Sequence, residues 1–336
     1  MEPRPRWIDM TKRAAWWVAA AALLVAVFRI IGSGNSGLVA PVDTATGAAG
    51  TDLESGPTIA ADSSKVVEIP DSLFGWSGAL RFRALTAAEA LALRGFVSRF
   101  GERAIHTPAA IEVTSRGGPF TLLVMRPFGA KRGEMLNGYR LGRWPAERWL
   151  MAKNYFNPDG FVEVTAANAG VHLSEHFVLG DFVTHDQTQK WPKYVVLEEK
   201  LIDKLELVMQ ALNARGVRAT RAVVLSGFRA PYYNDRGVGE GMARASRHQY
   251  GDAADLIIDS DGDGRMDDLS GDGRSDLRDT EVINRAVSEV ERKYPQLAGG
   301  LGRYHAMGPR GPFAHIDVRG TSARWESGWW KKGNSK

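Results

Sequence analysis

The stretch Ser246–Ile258, SRHQYGDAADLII, constrains this chain more than any other. It sets His248 and Asp255 seven positions apart, spaces them with Gly251, Ala253 and Ala254, and runs straight into the apolar triplet Leu256–Ile258. Small residues between two polar ones let the backbone fold closely, so both side chains can reach one centre. Asp255 then enters a strand at its open end, a place suited to a site. The chain contains no cysteine, which removes disulfides and thiolates and restricts any metal site to His, Asp, Glu or backbone oxygen. A catalytic zinc centre commonly takes three protein ligands and leaves one position open. His315, which starts a strand in AHIDV and has apolar neighbours, is the best third candidate. Taken alone, one H-x6-D spacing is more often a hydrogen-bonded pair than a pair of ligands.

The surroundings read as α+β. In VLEEKLIDKLELVMQALNARG, Leu197, Leu201, Leu205, Val208 and Leu212 share one helical face and Gly216 stops the helix. AVVLSGF reads as a buried strand ending at the turn RAPYYN. DTEVINRAVSEVERKY reads as a helix with Val282, Ile283, Ala286, Val287 and Val290 inward, and FAHIDVRG as a closing strand with alternating faces.

Three segments, in order, resemble the zinc D-Ala-D-Ala carboxypeptidase and murein endopeptidase family, which shares the Hedgehog-type fold: LSGFRAPYYN, SRHQYGDAADLII and GGLGRYHAMGPRGPFAHIDVRG. The family pattern S-x-H-x-x-G-x-A-x-D is matched by Ser246, His248, Gly251, Ala253 and Asp255, and SEHF (174–177) is similar to the family's domain entry. The resemblance covers about residues 170–322. It implies a zinc domain with a small antiparallel sheet. It further implies that His248, Asp255 and His315 bind Zn2+ and that Arg229 faces the substrate, where a guanidinium would stabilise a developing oxyanion. One departure stands out. Many relatives carry an acid a few residues before the last histidine, often three, and here that position is Pro312. The general base is therefore open between His305, which could relay a proton, and Asp317. Asp317 shares a strand face with His315 and also fits a role orienting a ligand.

Between the ligands lies a tandem nine-residue repeat, DSDGDGRMD and DLSGDGRSD, identical at six positions. Asp259, Asp261, Asp263 and Asp267 sit where an EF-hand-like loop places its ligands, with Gly264 at the sharp turn. The second copy offers Asp268, Ser270, Asp272, Asp276 and, at position 12, Asp279. We read the loop, 259–279, as a structural Ca2+ site; the bland alternative is a solvated acidic loop.

The remaining chain sets the context. Arg4, Arg6, Lys12 and Arg13 precede the apolar run Ala14–Phe28. Extended to Ile31, the run just suffices to cross a bilayer as an N-in anchor; a cleaved signal peptide is the alternative. Residues 1–31 thus read as an inner-membrane anchor, 32–66 as a flexible linker, and 67–165 as a β-rich accessory domain. Residues 166–322 read as the catalytic domain outside the cytoplasm, and 323–336 as a basic Trp-rich tail. In the accessory segment, Thr86 and Glu89 make a capping box on LTAAEALALRGFVSRF, and AAIEVTS and FTLLVMRPF read as strands. The net charge of +4 comes with no basic-aromatic array, which argues against nucleic acid. The expected partner is peptidoglycan, with no protein partner legible. The expected activity is a zinc peptidase cutting murein amide bonds, an endopeptidase in preference to a D-alanyl carboxypeptidase. A wall-binding scaffold with a degenerate site is the reading of another class.

Overall fold

The computed structural model describes residue 59 and residues 61–148, 155–239 and 241–327. The expected anchor at 1–31 and most of the linker lie outside the described residues. Among the described residues, no helix is long and apolar enough to cross a membrane.

The chain first builds a small lobe. Strand β1 (Phe82–Leu85) is followed by helix α1 (Ala87–Ala92), whose start carries the capping box between Thr86 and Glu89. The helix expected through Phe100 breaks at Gly95, which has φ 83° and lies so close to the Val66 carbonyl that a side chain would collide with it. A second short helix, α2 (Phe96–Phe100), follows. Strands β2 (Ala109–Ser115) and β3 (Gly118–Val124) form an antiparallel hairpin, and β1 joins β3 in parallel. Phe96, Phe100, Val113, Phe120 and Leu122 form this lobe's core, which ends at Val124.

From there on the chain feeds a larger core running from Leu80 to Ile316. Strands β4 (Arg126–Pro127), β7 (Gly160–Val164) and β8 (Lys193–Val195) form one small antiparallel sheet. Between them, β5 (Met135–Leu136) and β6 (Tyr139–Arg140) make a tight hairpin on Asn137–Gly138, both at positive φ, as Asn-Gly hairpin turns require. Helix α3 (Pro145–Arg148) starts on a proline. Just before it, the fully buried Trp144 stacks on Phe228 and donates from Nε1 to the Gln249 carbonyl at 2.8 Å. The accessory segment thereby braces the turn that carries His248.

Helix α4 (Glu199–Ala214) ends before Gly216, at φ 78°. Its expected apolar face is buried, and so are Asp203, Lys204 and Glu206. Each of these charges has a specific partner, as burial demands. Asp203 accepts from the Trp76 and Ser77 backbone N–H groups at 2.8 and 2.9 Å. Glu206 accepts from the His176 N–H at 2.7 Å and meets its Nδ1 at 2.8 Å. Lys204 reaches Glu291 at 2.6 Å.

The main sheet has five strands in the order β13-β11-β12-β10-β9. Strands β9 (Ala222–Ser226), β10 (Ala253–Ile258), β12 (Phe313–Asp317) and β11 (Gly300–Tyr304) pair antiparallel throughout. The first residues of the expected tail instead form β13 (Ala323–Ser327), which joins β11 in parallel, so the sheet is mixed rather than wholly antiparallel. Short helix α5 (Pro231–Arg236) follows β9. Helix α6 (Leu277–Lys293) packs on α4 and on β11 and β12, burying Ile283, Ala286, Val287 and Val290. The class is α+β, with small sheets and few helices.

Candidate metal centre

Strand register brings the key residues into one row. Ser226 of β9 pairs with Asp255 of β10, Asp255 with His315 of β12, His315 with Gly302 of β11, and Gly302 with Trp325 of β13. Directly paired residues point to the same face of a sheet, so Asp255 and His315 are set side by side by the ladder itself. His248 arrives from a 3-10 turn, Arg247–Tyr250, that ends on Gly251 at φ 65°. A side chain at Gly251 would strike the Val196 carbonyl. Only glycine therefore lets this turn close against the chain, which is the physical need behind its place between His248 and Asp255.

The three ligand candidates are buried, and their donor atoms form a triangle. His315 Nδ1 lies 2.8 Å from Asp255 Oδ1, His248 Nε2 lies 3.1 Å from His315 Nδ1, and His248 Nε2 lies 3.3 Å from Asp255 Oδ1. Ligands at zinc-nitrogen distances on a tetrahedron are separated by about 3.3 Å, so the triangle is close to that size.

The outer partners fix which atoms face inward. His248 Nδ1 sits 2.7 Å from the Gly227 carbonyl. A carbonyl can only accept, so Nδ1 carries the proton and Nε2 turns a lone pair to the centre. His315 lies between two carboxylates, with Nε2 3.1 Å from Asp317 Oδ2 and Nδ1 2.8 Å from Asp255 Oδ1. Two imidazole nitrogens and a carboxylate oxygen thus converge, and such a set is held together either by a proton on His315 Nδ1 or by a cation in its place. Burial drives His248 toward its neutral form, against the pull of Asp255. Burial also opposes charge on Asp255 and His315, but it is outweighed: His248, His315 and Arg229 hold the Asp255 carboxyl well below its usual range, and hydrogen bonds to Asp255 and Asp317 raise His315. The donor set, two neutral-capable imidazoles and one carboxylate with oriented outer partners, fits a divalent metal ion.

Arg229 is in the site, against Asp255. Its Nε donates to Ser226 Oγ at 2.7 Å, and one terminal nitrogen pairs with Asp255 Oδ2. It thus holds the ligand carboxylate in place. Asp317 is fully buried and receives the Gly300 N–H at 2.7 Å, the Arg319 N–H at 3.1 Å and the Arg319 guanidinium. Burial opposes its charge, but His315 and Arg319 keep the carboxyl ionised far below its usual range. Asp317 therefore orients His315 and is not placed as a base. His305 is not brought to the triad. It lies past the end of β11, half-exposed, with Glu326 at 3.7 Å, and Glu326 shares the opposite sheet face with Arg303.

Sequence reasoning passed over the glycines of GGLG as anything but a resemblance. Side chains at Gly299 or Gly300 would collide with Asp317, and one at Gly302 with the Trp325 indole. These glycines clear the space in which Asp317 reaches His315 and Trp325 lies over the row.

The acidic repeat folds as two copies of one turn, with Gly262 and Gly264 in the first and Gly271 and Gly273 in the second at φ 76–83°. In the first copy Asp259, Asp261 and Asp267 converge closely enough to share a metal ion. Asp259 also accepts from Arg221 at 2.9 Å and from the Gly264 N–H at 3.2 Å. The other expected ligands have different work. Asp263 accepts from the Arg265 N–H, and Asp268 from the Gly271, Asp272 and Gly273 N–H groups. Asp272 and Asp276 pair with Arg278. Asp276 caps α6, and Asp279 accepts from the N–H groups of Ser270 and Asp276. A third metal-capable group, Glu175, His176 and Glu206, is accounted for by the His176–Glu206 pairing that ties the 172–178 turn to α4. Buried His and Asp groups could therefore hold a metal ion. No family model, no curated protein and no solved structure matches this chain.

Proposed function

We propose that this chain is a zinc-dependent hydrolase that cuts amide bonds in peptidoglycan stem peptides or crosslinks, with His248, Asp255 and His315 as the ligands. The observation that carries the reading is the convergence of three metal-capable atoms, 2.8–3.3 Å apart, with His248 Nδ1 turned outward to the Gly227 carbonyl and His315 Nε2 to Asp317. When bound, zinc would supply polarisation of the scissile carbonyl and a water whose pKa is brought toward about 7. The chain's own residues do the positioning. Gly227 sets the His248 tautomer, Asp317 orients the His315 ring, and Arg229, itself held by Ser226, steadies the second oxygen of Asp255. The resemblance of the segments bearing these residues to the Hedgehog-type zinc peptidases supports amide hydrolysis in the cell wall and supports zinc as the metal. An inner-membrane anchor at residues 1–31 would present the domain to that polymer. A Ca2+ role for the first acidic turn belongs to the same proposal. The test is digestion of purified crosslinked sacculi by the parent protein and by His248→Ala, with and without chelator, followed by mass analysis. Chelator-sensitive conversion of crosslinked dimers to monomers supports the endopeptidase, release of D-alanine supports the carboxypeptidase, and no cleavage by zinc-loaded protein sinks both.

A further inference from the structure

The row of residues that holds the ligands continues past them. Gly302 pairs with His315 on one side and with Trp325 on the other. Tyr304, two residues along β11, points to the same face. The Trp325 indole lies across the space that a side chain at Gly302 would fill, with its ring 5.2 Å from the His315 ring. Trp325 Nε1 donates to the Tyr304 hydroxyl at 3.0 Å, so the phenol is drawn back over the metal row. The Tyr304 ring is clamped from below by Phe313, stacked at 4.6 Å and 6°.

We propose that Tyr304 is a catalytic residue whose hydroxyl donates a hydrogen bond to the carbonyl oxygen that becomes negative during attack, with Trp325 as the positioning residue that aims it. The inference rests on the metal-hydrolase reading above. An indole N–H can only donate, so the bond from Trp325 uses a lone pair of the Tyr304 oxygen and leaves the phenolic proton to donate. Among the described residues that proton has no acceptor. Arg229, the donor that the sequence offered for this task, has two of its three guanidinium nitrogens on Ser226 and Asp255. Burial, helped by the nearby Asp255 charge, raises the Tyr304 pKa and so keeps the group a donor. A donor fixed before reaction needs no reorganisation when charge develops, which is where such groups have their largest effect. No proton changes hands in this role.

The experiment compares two ligands on the zinc-loaded full chain by calorimetry: a stem pentapeptide ending in D-Ala-D-Ala, and its phosphinate isostere, whose tetrahedral anion resembles the attacked carbonyl. Tyr304→Phe, which keeps the stacking on Phe313, should retain zinc and bind the amide peptide as the parent does. It should lose about 10²-fold in phosphinate affinity, with kcat falling in parallel and KM unchanged. Trp325→Phe, which removes the indole N–H and keeps a ring on His315, should lose a part of the same factor. Phosphinate affinity within about twofold of the parent in Tyr304→Phe overturns the role of Tyr304. A parent protein that binds zinc yet shows no preference for the phosphinate overturns the hydrolase reading itself, and the role of Tyr304 with it.

Discussion

The Asp317 carboxylate meets His315 Nε2 at 3.1 Å and thereby turns His315 Nδ1 toward Asp255. The ring is oriented by a residue two positions along its own strand. Replacing Asp317 by Asn keeps the size of the side chain but removes the charge that supports the imidazole. We expect Asp317→Asn to lower zinc affinity about 10–100-fold, measured by competition with a chromophoric chelator. Unchanged affinity would show that the ring is oriented by something else.

A second prediction concerns what stands behind that strand. Lys204 is fully buried on α4 and its Nζ lies 2.6 Å from Glu291 Oε1 and 2.8 Å from the Asp317 carbonyl. Glu291 in turn receives the Gly299 N–H and pairs with Arg324. Removing one partner of a buried pair leaves the other without compensation. Lys204→Ala should cost about 3–5 kcal/mol of stability, read from urea unfolding of the metal-free protein. A cost below about 1 kcal/mol would mean that water replaces the ammonium at Glu291.

The third prediction is a pH dependence. His176 donates its backbone N–H to Glu206 and pairs with it through Nδ1, and the hydrogen bond to Glu206, opposed by burial, raises the His176 pKa above its ordinary 6.5. A group whose folded pKa is raised stabilises the fold fully below its unfolded pKa and loses that contribution as pH rises through the folded value. The stability advantage of the parent over His176→Gln should therefore be fully present below the ordinary 6.5 and shrink as pH is raised above it, in thermal melts taken with metal removed. An advantage that grows with pH would contradict the pairing.

Much of the local structure was legible because local rules decided it. The Thr86–Glu89 box, the strand Ala109–Ser115 and the Gly216 stop all follow from residues within a few positions of one another. The convergence of His248, Asp255 and His315 was legible because two of them share one motif and the third starts a strand. What escaped was set by contacts distant in sequence. The helix Glu199–Ala214 looked one-sided, yet Asp203, Lys204 and Glu206 are buried through partners at Trp76, Ser77, Glu291 and His176. Trp325 looked like part of a tail, because a parallel edge strand has no local signal. Arg229 and His305 were assigned by motif position, whereas the alternation of strand faces and the nearest carboxylates determined where they went. The acidic repeat shows the same limit: helix capping and Arg278 take several of its carboxylates.

The most direct measurement is zinc K-edge X-ray absorption on the purified protein loaded with one equivalent of zinc, beside His248→Ala and His315→Ala. The account predicts a four-coordinate shell of nitrogen and oxygen at about 2.0–2.1 Å, with two imidazoles in the parent and one in each variant. A six-coordinate oxygen shell, or a parent spectrum that neither histidine substitution changes, would contradict it.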